Sequence, residues 1–175
     1  MRLFVAVDVG KDASEKLAAA IESVRQTGAD ASFSNPRTLY CTLAFLSEKN
    51  EKQAREVISR LSAVLFPRFT CNCRGLGFFP SDKFGRVFWA GLEAKELTEL
   101  QNQVATALDY RDGKPFHPHV TLARIRSQQN LGRLVELAKQ PADFGSFEVT
   151  SFSLMKSELS PQGAVHSTMA KFALL

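Results

Sequence analysis

Short apolar runs alternate with amphipathic stretches along this chain. Arg2-Leu3-Phe4-Val5-Ala6-Val7-Asp8-Val9 is rich in Val and Phe, the pattern of a central strand, and Gly10 ends it. Asp12 then offers a helix cap, with Glu15 completing a capping-box-like pair. Leu17, Ala20, Ile21 and Val24 recur at helical spacing up to about Gly28. Asn35-Pro36 signals a turn, and Cys41 to Leu46 reads as a strand. A second helix is predicted from Asn50, with Ala54, Val57, Ile58, Leu61 and Leu65 on one face and Pro67 as its stop.

Phe69 to Phe79 reads as a long strand bent at Gly75 and Gly77. Pro80-Ser81-Asp82 turns the chain, and Arg86 to Leu92 returns it as a hairpin. Glu96 to Leu108 is a third helix, with Leu97, Leu100, Val104 and Leu108 facing inward. After the Asp112-Gly113 turn come a strand from Pro118 to Ile125 and a short helix from Leu131 to Lys139. Phe144 to Met155 and Val165 to Leu174 are the closing strands, joined by a loop with Pro161 and Gly163. Short turns between strands favour an α+β fold with antiparallel sheets over a doubly wound parallel one. No linker divides residues 1–175, so a single two-lobed domain is expected.

The chain also echoes itself. Tyr40-Cys41-Thr42-Leu43-Ala44-Phe45 aligns with His119-Val120-Thr121-Leu122-Ala123-Arg124, about half the chain away. Each copy follows a strand, a helix and a turn. A duplicated unit follows: two pseudo-symmetric lobes, each an antiparallel sheet with helices on its outer face, around a central cleft. Strand side chains alternate, so His119 and Thr121 share one face, as do Tyr40 and Thr42. By the same parity Arg124 leaves on the opposite face, unless the strand ends or bends near Ala123.

Composition adds little to this. The net charge of +4 and the pI of about 9.1 mildly favour anionic partners. Gly75-Leu76-Gly77 lacks the third glycine and following helix of a dinucleotide loop. Cys41, Cys71 and Cys73 have neither a disulfide-framework nor a zinc spacing, and the Cys71-Asn72-Cys73 alternation suits buried thiols on one strand face. Residues 2–9 are too short to span a membrane and lack a signal peptide's flanks, so a cytoplasmic protein is expected. A histidine with hydroxyls and an arginine suits a phosphate group, whose oxygens the hydroxyls and arginine hold while the histidine moves a proton.

These motifs resemble the 2H phosphoesterases, specifically the RNA 2′,3′-cyclic phosphodiesterases formerly called 2′-5′ RNA ligases. That family carries two His-x-Thr motifs, one in each half of the chain. The second is intact here as Pro118-His119-Val120-Thr121-Leu122-Ala123-Arg124. Thr42-Leu43-Ala44-Phe45-Leu46 matches the tail of the first, and Arg2 to Asp8 matches the opening strand. Gly75 to Pro80, Arg86 to Gly91, Phe144 to Phe147 and Ser157 to Pro161 match the remainder. The resemblance implies metal-free, cofactor-free acid–base hydrolysis of RNA 2′,3′-cyclic phosphate ends to 2′-phosphomonoesters, with 2′-5′ ligation as a related activity. No protein partner and no membrane are implied.

Where the family has its first histidine, this chain has Tyr40. The resemblance therefore gives His119 the main acid–base role, as base for water, and Tyr40 the role of hydrogen-bond donor. Thr42, Thr121 and Arg124 hold the phosphate. Phe45 is expected in the core or the cleft wall, with base stacking as its alternative use. His117 is expected to support the site or lie on the surface, and His166 is a rim residue that could stand in for the missing histidine. A second reading keeps the cleft as an RNA or nucleotide site without turnover.

Overall fold

The computed structural model describes residues 1–175. β1 (Arg2–Asp8) leads into α1 (Lys11–Gln26), β2 (Ala31–Phe33), β3 (Tyr40–Glu48) and α2 (Glu51–Ser62). β4 (Phe69–Phe79) and β5 (Val87–Glu93) form a hairpin, followed by α3 (Lys95–Leu108), β6 (His119–Ile125) and α4 (Leu131–Ala138). Next come β7 (Asp143–Val149), β8 (Ser151–Ser160) and β9 (Gly163–Ala173). The strands make two antiparallel sheets, ordered β3-β1-β8-β9 and β2-β6-β5-β4-β7. The α+β class and the two sheets match the expectation. None of the helices is long and apolar enough to cross a membrane.

Each sheet is covered by helices, but not simply by its own. α3 leaves β5 of the second sheet and packs on β3 of the first, with α2 beside it reaching β9. α1 leaves β1 of the first sheet and packs on β7 and β6 of the second, where α4 meets β4. The two copies of the strand–helix–strand unit thus exchange their helices. α1 buries Ala13, Leu17, Ile21 and Val24 in this way. Full burial of each large apolar side chain is worth roughly 1.5–3 kcal/mol.

Four local expectations are corrected. α1 begins at Lys11 after Gly10, with no side-chain cap. Gly10 holds this position because a Cβ there would lie 2.5 Å from Phe147 Cβ. The capping box sits instead on α2, where Asn50 and Gln53 exchange side-chain and backbone bonds of 2.9 and 3.0 Å. α2 stops at Ser62, well before Pro67, and Leu65 is exposed. Leaving the helix early drops Val64 and Phe66 into the core and lets residues 66–68 pair with Leu175.

The apolar run from Phe144 to Met155 is two strands, broken at Thr150. Phe147 and Val149 pair with β4, whereas Phe152 and Leu154 belong to the other sheet. Alternation shows that such a run is strand, but not which sheet it serves. β2 adds a strand that the pattern does not predict, since three residues carry no readable period; its pairing with β6 defines it.

Candidate functional site

β3 and β6 begin at Tyr40 and His119, and the two sheets come together at these strands. Cys41 lies against the His119 backbone, and burial pushes its thiol up to about 12. Cys71 and Cys73 are likewise buried and pushed up to about 11 and about 12, so all three are inert packing groups.

Both motif strands carry the same irregularity. On β3, Thr42 pairs with Ala6 and Ala44 with Val5, leaving Leu43 as an extra residue. On β6, Thr121 pairs with Trp89 and Ala123 with Phe88, leaving Leu122 extra. An extra residue resets the alternation. Leu43 and Ala44 are therefore both buried and Phe45 is exposed; Leu122 and Ala123 are both buried and Arg124 is exposed. Each bulge is held by one polar side chain: Gln101 Nε2 donates to the Leu43 carbonyl at 3.3 Å, and Ser34 Oγ donates to the Thr121 carbonyl at 2.7 Å. The bend near Ala123 thus exists, and it moves Arg124 off the Val120 side. Phe45, expected in core or wall, is 61% exposed.

His119 Nδ1 lies 2.7 Å from the His117 carbonyl oxygen. A carbonyl only accepts, so Nδ1 carries the proton and Nε2 of the neutral ring keeps its lone pair. Burial holds the His119 pKa below its usual 6.5; the carbonyl bond opposes this, and His117 and Arg124 add to it. The ring packs edge-on against Phe79 at 4.8 Å, and His117 packs between Phe79 at 5.2 Å and Trp89 at 4.9 Å. His117 therefore supports His119 through both its carbonyl and its ring.

The start of β3 is aromatic. The Tyr40 ring lies 5.1 Å from Phe4, and its hydroxyl is 3.1 Å from His166 Nε2. His166 also stands edge-on to Phe4 at 5.1 Å. Burial raises the Tyr40 pKa above 10, opposed by Arg124, and burial then Arg124 lower that of His166 below 6.5. The Arg124 charge acts on Tyr40, His119 and His166 alike, and it forms no ion pair. A groove of about 720 Å³ runs from Tyr40, His166 and Thr168 toward Lys11 and Arg37.

The start of β6 thus offers a proton acceptor with a preset lone pair, and the start of β3 a phenol. An exposed guanidinium lies within the electrostatic range of both. Thr42 and Thr121 are half-buried on their strands, two residues after Tyr40 and His119. Such a set can hold an anion and move a proton to and from it. The motif residues are visible in the sequence. The Tyr40–His166 bond and the Phe79–Trp89 platform are not, because strands distant in sequence bring them together.

Comparison with known proteins agrees with this architecture. Residues 13–161 match the family model of the 2′-5′ RNA ligase superfamily. The chain is 37% identical over 162 residues to an RNA 2′,3′-cyclic phosphodiesterase of Aeropyrum pernix, covering 88% of this chain and 92% of the relative. It is 33% identical over 176 residues to an RNA 2′,3′-cyclic phosphodiesterase of Archaeoglobus fulgidus, covering 98% and 99%. The crystal structure of TT0787 of Thermus thermophilus aligns with a TM-score of 0.83 at 30% identity, covering 99% of this chain and 97% of that one. By sequence over most of its length and by fold, this chain belongs to the 2′-5′ RNA ligase superfamily.

Proposed function

We propose that the protein hydrolyses RNA 2′,3′-cyclic phosphate ends to 2′-phosphomonoesters by acid–base catalysis. The observation that carries this reading is His119, whose Nδ1 is committed to the His117 carbonyl and whose Nε2 is thereby a ready proton acceptor. The names of the relatives supply the substrate class. His119 Nε2 takes a proton from water as the water oxygen bonds to phosphorus. The bond from phosphorus to the ribose 3′-oxygen breaks, and that oxygen needs a proton. Tyr40 is the hydrogen-bond donor on that side. Thr42, Thr121 and Arg124 hold the phosphoryl oxygens, and the positive charge of Arg124 matches the charge that grows there. Exposed Phe45 gives the terminal base a surface to stack on.

With a 5′-hydroxyl in place of water, the same attack would make a 2′-5′ linkage. Three free, buried cysteines support a reducing, cytoplasmic setting. The test is incubation with an oligonucleotide ending in a 2′,3′-cyclic phosphate. A 2′-phosphate end that forms with the wild type and not with His119→Ala supports the reading. Salt-sensitive binding without product would instead select a binding protein.

A further inference from the structure

Tyr40 stands where a proton donor is needed, yet a buried phenol is a reluctant acid. Its immediate polar neighbour is His166, with Nε2 3.1 Å from the hydroxyl. The other ring nitrogen, His166 Nδ1, is buried and has no hydrogen-bond partner. A buried lone pair left unpaired costs less than a buried N–H left unpaired, so the neutral ring carries its proton on Nε2. Nε2–H then donates to the Tyr40 oxygen, and the phenol's own O–H is left to point elsewhere.

The setting favours the neutral form of His166. Phe4 on β1 presses its ring against the imidazole, and Arg124 on β6 adds positive charge. Asp8 of β1, Lys11 and Glu15 of α1, and Arg37 line the groove that His166 and Tyr40 share.

Resting on the hydrolysis reading above, we propose that His166 is the positioning residue that makes Tyr40 the general acid of this site. As the bond to the 3′-oxygen breaks, the Tyr40 proton passes to that oxygen. The phenolate left behind is held by His166 Nε2–H and by the charge of Arg124. His119 holds the proton taken from water, and exchange with solvent returns both groups to their starting forms. The proton count therefore closes with one histidine in direct contact with the reaction and a second acting through the phenol.

Tyr40 and Tyr110 are the only two tyrosines, so Tyr110→Phe leaves a protein whose phenol absorbance reports Tyr40 alone. In that background His166→Phe is expected to move the Tyr40 titration to higher pH. His166→Gln, which keeps an N–H at similar reach, is expected to bring it back toward the wild type. On a cyclic-phosphate oligonucleotide, kcat should fall roughly 10²-fold in His166→Phe, as for loss of an oxyanion donor. KM should change little, and His166→Gln should recover part of kcat. An unchanged titration in both variants, or His166→Gln behaving like His166→Phe, overturns the proposal. A titration that shifts as expected in a protein that cleaves nothing fails the hydrolysis reading, not the pairing of Tyr40 with His166.

Discussion

His119 differs from a surface histidine by its partial burial against Phe79 and by the donation of its Nδ1–H to the His117 carbonyl at 2.7 Å. That bond fixes which nitrogen can accept a proton. His119→Ala removes the acceptor and should lower cleavage of a cyclic-phosphate end by about 10²–10⁴-fold, read as initial rates at saturating substrate. The pH dependence follows from the directions of the shifts. The His119 pKa lies below 6.5, so the rate should rise as pH climbs through that lowered value and be complete by neutrality. The Tyr40 pKa lies above 10, so the rate should then stay level into the alkaline range. Tyr40→His should add a falling alkaline limb, because a histidine acid is lost once it deprotonates. A falling limb below pH 10 in the wild type would contradict Tyr40 as donor. His119, Thr121 and the Tyr40 departure are readable from the motif, since strand parity alone puts residues i and i+2 together. The role of His166 is not, because its meaning depends on a contact across 126 positions of chain.

At the scale of elements, the working unit is a bulged strand and not a regular one. Each bulge turns over the alternation, so the residue after Ala44 or Ala123 faces out while the motif's Leu and Ala both stay in the core. Gln101 and Ser34 hold these bulges from α3 and from the segment after β2. Replacing buried Gln101 with Leu leaves the Leu43 carbonyl without its donor and should cost about 1–3 kcal/mol, measured by urea unfolding. Ser34→Ala removes a single hydroxyl at a more open position and should cost about 1 kcal/mol. Its larger effect should be on KM, through the placing of Thr121 and Arg124. The sequence pattern locates both strands and the repeated Thr-Leu-Ala. A ladder interruption has no residue signature, which is why parity alone sends Arg124 to the wrong face. The helices are readable for the same reason as the strands: Leu97, Leu100 and Val104 recur with the period of the face that α3 buries.

Across the whole molecule, the exchange of α1 and α3 ties the two sheets together, because each sheet is covered by a helix that begins in the other. Thermal unfolding should therefore follow one cooperative transition, with far-UV circular dichroism and Trp89 fluorescence giving the same midpoint. His119 and His166 both have folded-state pKa values below 6.5. Below 6.5 the unfolded chain binds more protons than the folded one, so stability is full above 6.5 and is lost as pH falls through the lowered values. The melting midpoint should drop between neutral and mildly acidic pH, and His166→Phe should reduce that drop. Two antiparallel sheets and a duplicated unit are foreseeable from the sequence; the helix exchange and the crossing at Thr150 are not, because periodicity records how much of a segment is buried and not against what. The sheet order also has a consequence in time. The sheet carrying His119 is drawn wholly from residues 31–149, whereas the one carrying Tyr40 needs β8 and β9, residues 151–173. On the ribosome, the base side of the cleft can assemble while β1, already paired with β3, still waits for β8 on its other side. The phenol meets its histidine only when β9 emerges, so a nascent chain holds an unfinished cleft until almost all of this segment has been made.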